Sequence, residues 1–101
     1  MTADRFYLVR LLSPRPTFMQ DMTADERAAM QEHGMYWRGK LAEGVAIAFG
    51  PVADPKGPWG LGVVRARDEA EIASFEAEDP APKKIPGMRY EVLPMLAAVF
   101  A

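Results

Sequence analysis

The chain has 101 residues, with 12 Lys and Arg against 14 Asp and Glu, for a net charge of −2. That length predicts a single domain spanning 1–101, and a chain this size buries about two-thirds of its unfolded surface, enough for a core without staples. The absence of cysteine and the presence of one histidine, His33, exclude disulfides, zinc–thiolate and iron–sulfur sites and multi-histidine metal centres, so no metal or cofactor is expected. The balanced charge leaves no basic footprint for nucleic acid. No apolar run approaches the ~20 residues of a membrane span. Met1-Thr2-Ala3-Asp4-Arg5 carries an acid and runs straight into a strand pattern, unlike a signal peptide, so a cytoplasmic location is expected.

In chain order, Arg5–Leu12 (RFYLVRLL) is rich in strand formers and bounded by Pro14 and Pro16, which predicts a first strand. Residues 13–22 form a connector stiffened by both prolines. Thr23 and Glu26 fit a capping box, and a helix follows to about Glu43, with Gly44 as its stop. On a helical wheel Met30, His33, Trp37 and Leu41 share one stripe, with Ala29 at its edge. Val45–Val52 reads as a second strand, 53–58 (ADPKGP) as a loop, and Trp59–Arg67 as a third strand. A short helix is expected over 69–78, ending before Asp79-Pro80. A Pro-rich loop (APKKIPG) leads to a fourth strand, Met88–Met95, and an apolar tail, Leu96–Ala101, that should pack on the body.

The order β-α-β-β-α-β predicts a ferredoxin-like α+β fold, an antiparallel sheet with helices on one face. Strand parity assigns Val45, Ile47, Phe49, Trp59, Leu61, Val63, Met88, Tyr90 and Val92 to the helix side. The other face would then carry Ala46, Ala48, Gly60, Gly62 and Val64, beside Arg89 and Glu91. A face of small, partly apolar residues lets a second sheet approach closely, so a homodimer through it is expected; a solvated face is the alternative.

His33 is the obvious candidate base, because histidine is the only side chain type whose unperturbed pKa lies near neutrality. Two readings stand: a general base, or a buried imidazole bonded to a backbone carbonyl. Asp54, in the loop after the second strand, lies where it could orient the ring; otherwise it is a turn-forming Asp before Pro55. Asp79 reads as a turn signal. Arg10 and Arg15 could hold an anionic substrate or simply be solvated, while Tyr36 and Trp59 could line an aromatic pocket, with Trp37 assigned to the core. The methionines around the first helix read as adaptable packing. Gly34, unusual inside a helix, could open space beside the imidazole. A Gly-rich phosphate loop of either common type and a Gly-x-Ser-x-Gly elbow are both absent, which argues against nucleophilic serine catalysis.

Arg15-Pro16-Thr17, His33 with Tyr36-Trp37, Glu43-Gly44, Phe49-Gly50-Pro51-Val52-x-Asp54-Pro55, Trp59-Gly60-x-Gly62-Val63, Asp68-Glu69-Ala70-Glu71 and Asp79-Pro80 together resemble the YCII-related domain proteins over nearly the whole chain. The resemblance implies a dimeric α+β barrel, with sheets packed face to face. It also implies an active site in which a helix histidine meets an aspartate from the loop after the second strand, here His33 and Asp54. Related barrel proteins act on small cyclic or aromatic acids. The expectation is therefore a cofactor-independent lyase or isomerase in which His33 and Asp54 form the general base, and Arg10, Arg15, Tyr36 and Trp59 bind substrate. The alternative is a dimer that binds or senses a small molecule in the same pocket without turnover.

Overall fold

The computed structural model describes residues 5–101; the reading of Met1–Asp4 as unlike a signal peptide lies outside the described residues. The elements are β1 (Arg5–Leu12), α1 (Phe18–Asp21), α2 (Ala24–Ala42), β2 (Ala46–Val52), β3 (Trp59–Ala66), α3 (Glu69–Glu78), α4 (Pro80–Lys84) and β4 (Arg89–Pro94). The strands form one antiparallel sheet in the order β2-β3-β1-β4, the ferredoxin-like arrangement of an α+β protein. Among the described residues no helix is long and apolar enough to cross a membrane.

Local chemistry sets the helix ends. The Thr23 side chain accepts from the Glu26 backbone N–H while Glu26 accepts from the Thr23 N–H, so the capping box forms in both directions. Gly44 takes φ 78°, the left-handed turn that ends α2. Asp68 caps α3 by accepting from the Glu71 N–H. Two segments expected to be irregular are helical. Phe18–Asp21 makes one turn within the connector. Pro80–Lys84 makes another, because Pro80 at the first position lacks only an N–H that a helix start leaves unpaired anyway.

Strand parity is where the expected packing fails. The cross-strand partners Tyr7–Val64, Val9–Gly62 and Leu11–Gly60 put Gly60, Gly62, Val64 and Ala66 on the helix side, so Trp59, Leu61 and Val63 face away. In β2 a register shift between Ala46 and Ala48 lets both Ala46 and Phe49 pack inward, while Ile47 is only half-buried. β4 follows expectation, with Tyr90 and Met88 buried. The reason is Trp37, whose indole lies directly over β3: a Cβ at Gly62 would come within 2.5 Å of its ring. A large side chain above demands glycine beneath it.

The open face is consequently built of large residues. Phe6, Leu8, Leu12, Leu61, Val63 and Leu93 share it with Arg10, Arg65 and Glu91. The tail packs only in part: Phe100 meets Phe6 at 5.6 Å between ring centroids, whereas Leu96 and Val99 are fully exposed. Leu41, placed on the buried stripe of α2, is likewise 45% exposed, because the stripe closes on the sheet at Ala29 and Trp37.

Candidate active site

α2 carries His33 and Trp37 one turn apart on its sheet-facing side, and α3 breaks at Asp79 before α4 begins. Asp79 ends one helix and starts the next. Its backbone N–H bonds to Phe75 O at 2.8 Å, and its Oδ1 accepts from the Ala81 N–H at 3.0 Å. α4 packs against α2, with Ala81 and Ile85 buried and Lys84 paired to Glu32, which draws the aspartate under the first helix.

There the carboxylate is fully buried and saturated with donors. His33 Nδ1 lies 2.9 Å from both oxygens; Trp37 Nε1 donates to Oδ2 at 2.8 Å; the Tyr90 hydroxyl donates to Oδ2 from β4. Burial pushes the Asp79 carboxyl up, but the His33 hydrogen bond, with the charge of the ring when protonated, followed by the Tyr90 and Ala81 bonds, more than offsets it and holds the group below its ordinary value. Burial, and then the charge it faces on Asp79, raises the Tyr90 phenol. An ionised carboxylate only accepts, so Nδ1 of His33 carries a proton. Nε2, across the ring, has no hydrogen-bond partner among the described residues. The His33 side chain is 15% exposed, against 0% for Asp79.

His33 and Trp37 also line a cavity of about 270 Å³ between α1, α2 and the sheet. Its walls are apolar: Phe18, Met22 and Met30 on one side, Val9, Leu11 and Phe49 on the other. Met19, Pro51, Pro58 and Trp59 stand toward its rim. Met22 and Met30 supply soft, adaptable packing as expected, whereas Met19 and Met35 are largely exposed. Gly34 does not border the cavity; a Cβ there would meet only the Arg38 guanidinium, at 3.8 Å.

The expected His33–Asp54 contact does not form. Asp54 instead organises its own loop, accepting from the Lys56 N–H at 2.9 Å and from Trp59 Nε1 at 3.0 Å, and those two bonds lower its pKa. Trp59 does line the cavity, with the Arg10 guanidinium 4.5 Å from its ring centroid. Arg10 lies on the open sheet face, paired to Glu91 at 2.7 Å. Arg15 is engaged along both edges of its guanidinium, with Glu26 at 2.7 and 2.8 Å and with the Asp21 side chain and carbonyl, and so clamps the connector to α2. Tyr36 lies outside the cavity lining; its hydroxyl donates to Glu78 at 2.9 Å. Burial, and then that carboxylate, raise its pKa. Trp59, whose ring turns away from the helices to lie beside Arg10, thus borders the same cavity as His33, while Arg10, Arg15 and Tyr36 are committed elsewhere. Among the described residues no three His, Asp or Glu side chains cluster to hold a metal ion.

Sequence reasoning missed Asp79 and Tyr90. One signal was present: Ala81 and Ile85 stand at helical spacing behind an Asp-Pro start, the pattern of a capped helix with a buried face.

No curated protein matches the chain. Residues 7–96 match the family model of the YCII-related domain, and over that span of the sequence the chain belongs to the YCII-related domain family.

Proposed function

We propose that the protein is a cofactor-independent enzyme of lyase or isomerase type, in which His33 acts as general base on a small cyclic or aromatic acid bound in the cavity. The observation that carries this reading is the pairing of His33 Nδ1 with buried Asp79 while Nε2 keeps no partner. A carboxylate behind the imidazole selects the tautomer whose free nitrogen accepts a proton, and it stabilises the imidazolium formed. The role expected of Asp54 passes to Asp79. Trp37 and Tyr90 hold the aspartate in place as positioning residues. The other side-chain donors of the lining are committed within the protein, so the new imidazolium is the side-chain charge available to stabilise the substrate anion.

The open sheet face supports a homodimer. Leu8, Leu61, Val63 and Leu93 form a contiguous apolar surface with Phe6, and a surface of that kind is seldom left in water. Sedimentation at micromolar concentration is expected to show a dimer that Leu61→Glu dissociates; a wild-type monomer would refute the assembly.

Long-range ¹⁵N–¹H NMR of the single imidazole tests the base directly. Nδ1 should carry the proton and Nε2 should be pyridine-like in wild type and in Asp54→Asn, and Asp79→Asn should disturb that state. A protonated Nε2 with bare Nδ1 would sink the reading. Any turnover found with small cyclic acids should fall about 10²–10⁴-fold in His33→Gln. The commitment of the lining donors also favours a second reading, a dimer that binds its ligand without turnover. Binding unaccompanied by turnover across such a panel would select it.

A further inference from the structure

The lining of the cavity restricts which acid can enter it. Its polar side-chain hydrogens are already engaged: Trp37 Nε1 on Asp79, Trp59 Nε1 on Asp54, the Ser13 hydroxyl on the Pro58 carbonyl at 3.2 Å, and His33 Nδ1 on Asp79. No lysine or arginine lines it, since Arg15 is clamped to Glu26 and Asp21 and Arg10 is held by Glu91 on the other face of the sheet. Among the described residues His33 Nε2 is the ring nitrogen of the lining left without a hydrogen-bond partner, and with Nδ1 protonated it is an acceptor. A carboxylate placed against this apolar lining would give up hydration and meet no free side-chain donor among the described residues unless Nε2 were also protonated, which is costly. A neutral molecule offering one O–H meets the free acceptor with a donor and buries the rest of its surface against Phe, Met, Val and Leu.

From this complementarity we infer that the site takes a neutral, one- or two-ring apolar compound bearing one weakly acidic hydroxyl, of phenol or enol type, rather than a carboxylate. The inference rests on the His33–Asp79 reading above and narrows its substrate class. Size agrees: an apolar cavity of about 150 Å³ takes benzene, so the roughly 270 Å³ here admits a second ring. On proton transfer the ligand O–H bond breaks and an Nε2–H bond forms. The oxyanion is then paired with an imidazolium that Asp79 already neutralises from behind, so no net charge is added to the apolar enclosure.

Calorimetric titration of the wild-type protein with 2-naphthol, 2-methoxynaphthalene and 2-naphthoate tests the class. These probes share a ring system and differ in offering a hydroxyl donor, a blocked oxygen and an anion. We expect 2-naphthol to bind at least about tenfold more tightly than either of the others. His33→Gln and His33→Phe should both accept the ether, and in His33→Phe the hydroxyl preference should vanish. Naphthoate binding as tightly as naphthol would overturn the inference by revealing an anion site, and so would an ether that matches the naphthol. Binding by none of the three would overturn the ligand class alone, because the imidazole tautomer is read on the free protein. A reversed tautomer would instead overturn the base, and the donor–acceptor match with it.

Discussion

Asp54 and Asp79 each precede a proline, each accept a backbone N–H two residues on, and each accept an indole N–H. Asp54 does this half-buried in the β2–β3 loop, for the benefit of residues within five positions of it. Asp79 does it with no exposed surface and adds His33 and Tyr90, which reach it from α2 and β4. Identical local chemistry therefore makes a loop staple in one place and the centre of a buried network in the other. The difference lies in what packs around the carboxylate. α4 seals Asp79 beneath α2, whereas nothing covers the Asp54 loop to the same degree.

Removing the two carboxylates should break the comparison most visibly. Asp79→Ala strands the indole of Trp37, the hydroxyl of Tyr90 and the ring N–H of His33 in a dry interior, and should cost about 3–5 kcal/mol in urea denaturation. Asp54→Ala should cost far less in the same assay, and equal losses would show that burial does not separate the two sites. Tyr90→Phe is milder, since Asp79 keeps its other donors; removal of one bond to a charged acceptor should cost about 1.5–3 kcal/mol.

Gly62→Ala attacks the buried network from beneath without touching it chemically. The new methyl must displace Trp37 from above β3, costing about 1–3 kcal/mol and shifting the indole N–H resonance of Trp37 but not that of Trp59. Thermal melts and the two indole signals measure both effects.

Acid sharpens the comparison with a smaller effect. Asp54 and Asp79 both have depressed folded-state pKa values, as does Glu26, which Arg15 and then the Thr23 N–H lower from 4.5 to about 2. A depressed carboxyl stabilises the fold above its unfolded pKa and loses that contribution as pH falls through the folded value. Stability should therefore decline on acidification from about pH 5. Asp54→Asn and Glu26→Gln should each flatten that decline. A urea midpoint that rose on acidification would contradict the assignment.

Much of the architecture was legible because its causes are local. The capping box at Thr23, the left-handed stop at Gly44, the strand formers of Arg5–Leu12 and the proline-bounded loops act within a few residues of themselves. The candidacy of His33 was legible too, through its place on the α2 stripe beside Trp37. Its partner was not, because Asp54-Pro55 and Asp79-Pro80 look alike in one dimension and His33 lies 46 residues from the aspartate it meets. Strand parity misled for a related reason. Alternation shows that a strand has two faces, but it cannot show that the inward space at Gly62 is filled by Trp37 from another element.

The amino-acid sequence by itself thus determined the order of the four strands and the two longer helices, the family, and the place of His33 on the sheet-facing side of α2. Packing between distant segments decided which aspartate stands behind that histidine, which sheet face stays open, and that both expected substrate arginines are engaged elsewhere. The physical reason is range: caps, turns and propensities act over a single turn of chain, whereas burial and hydrogen-bond satisfaction are properties of the whole core.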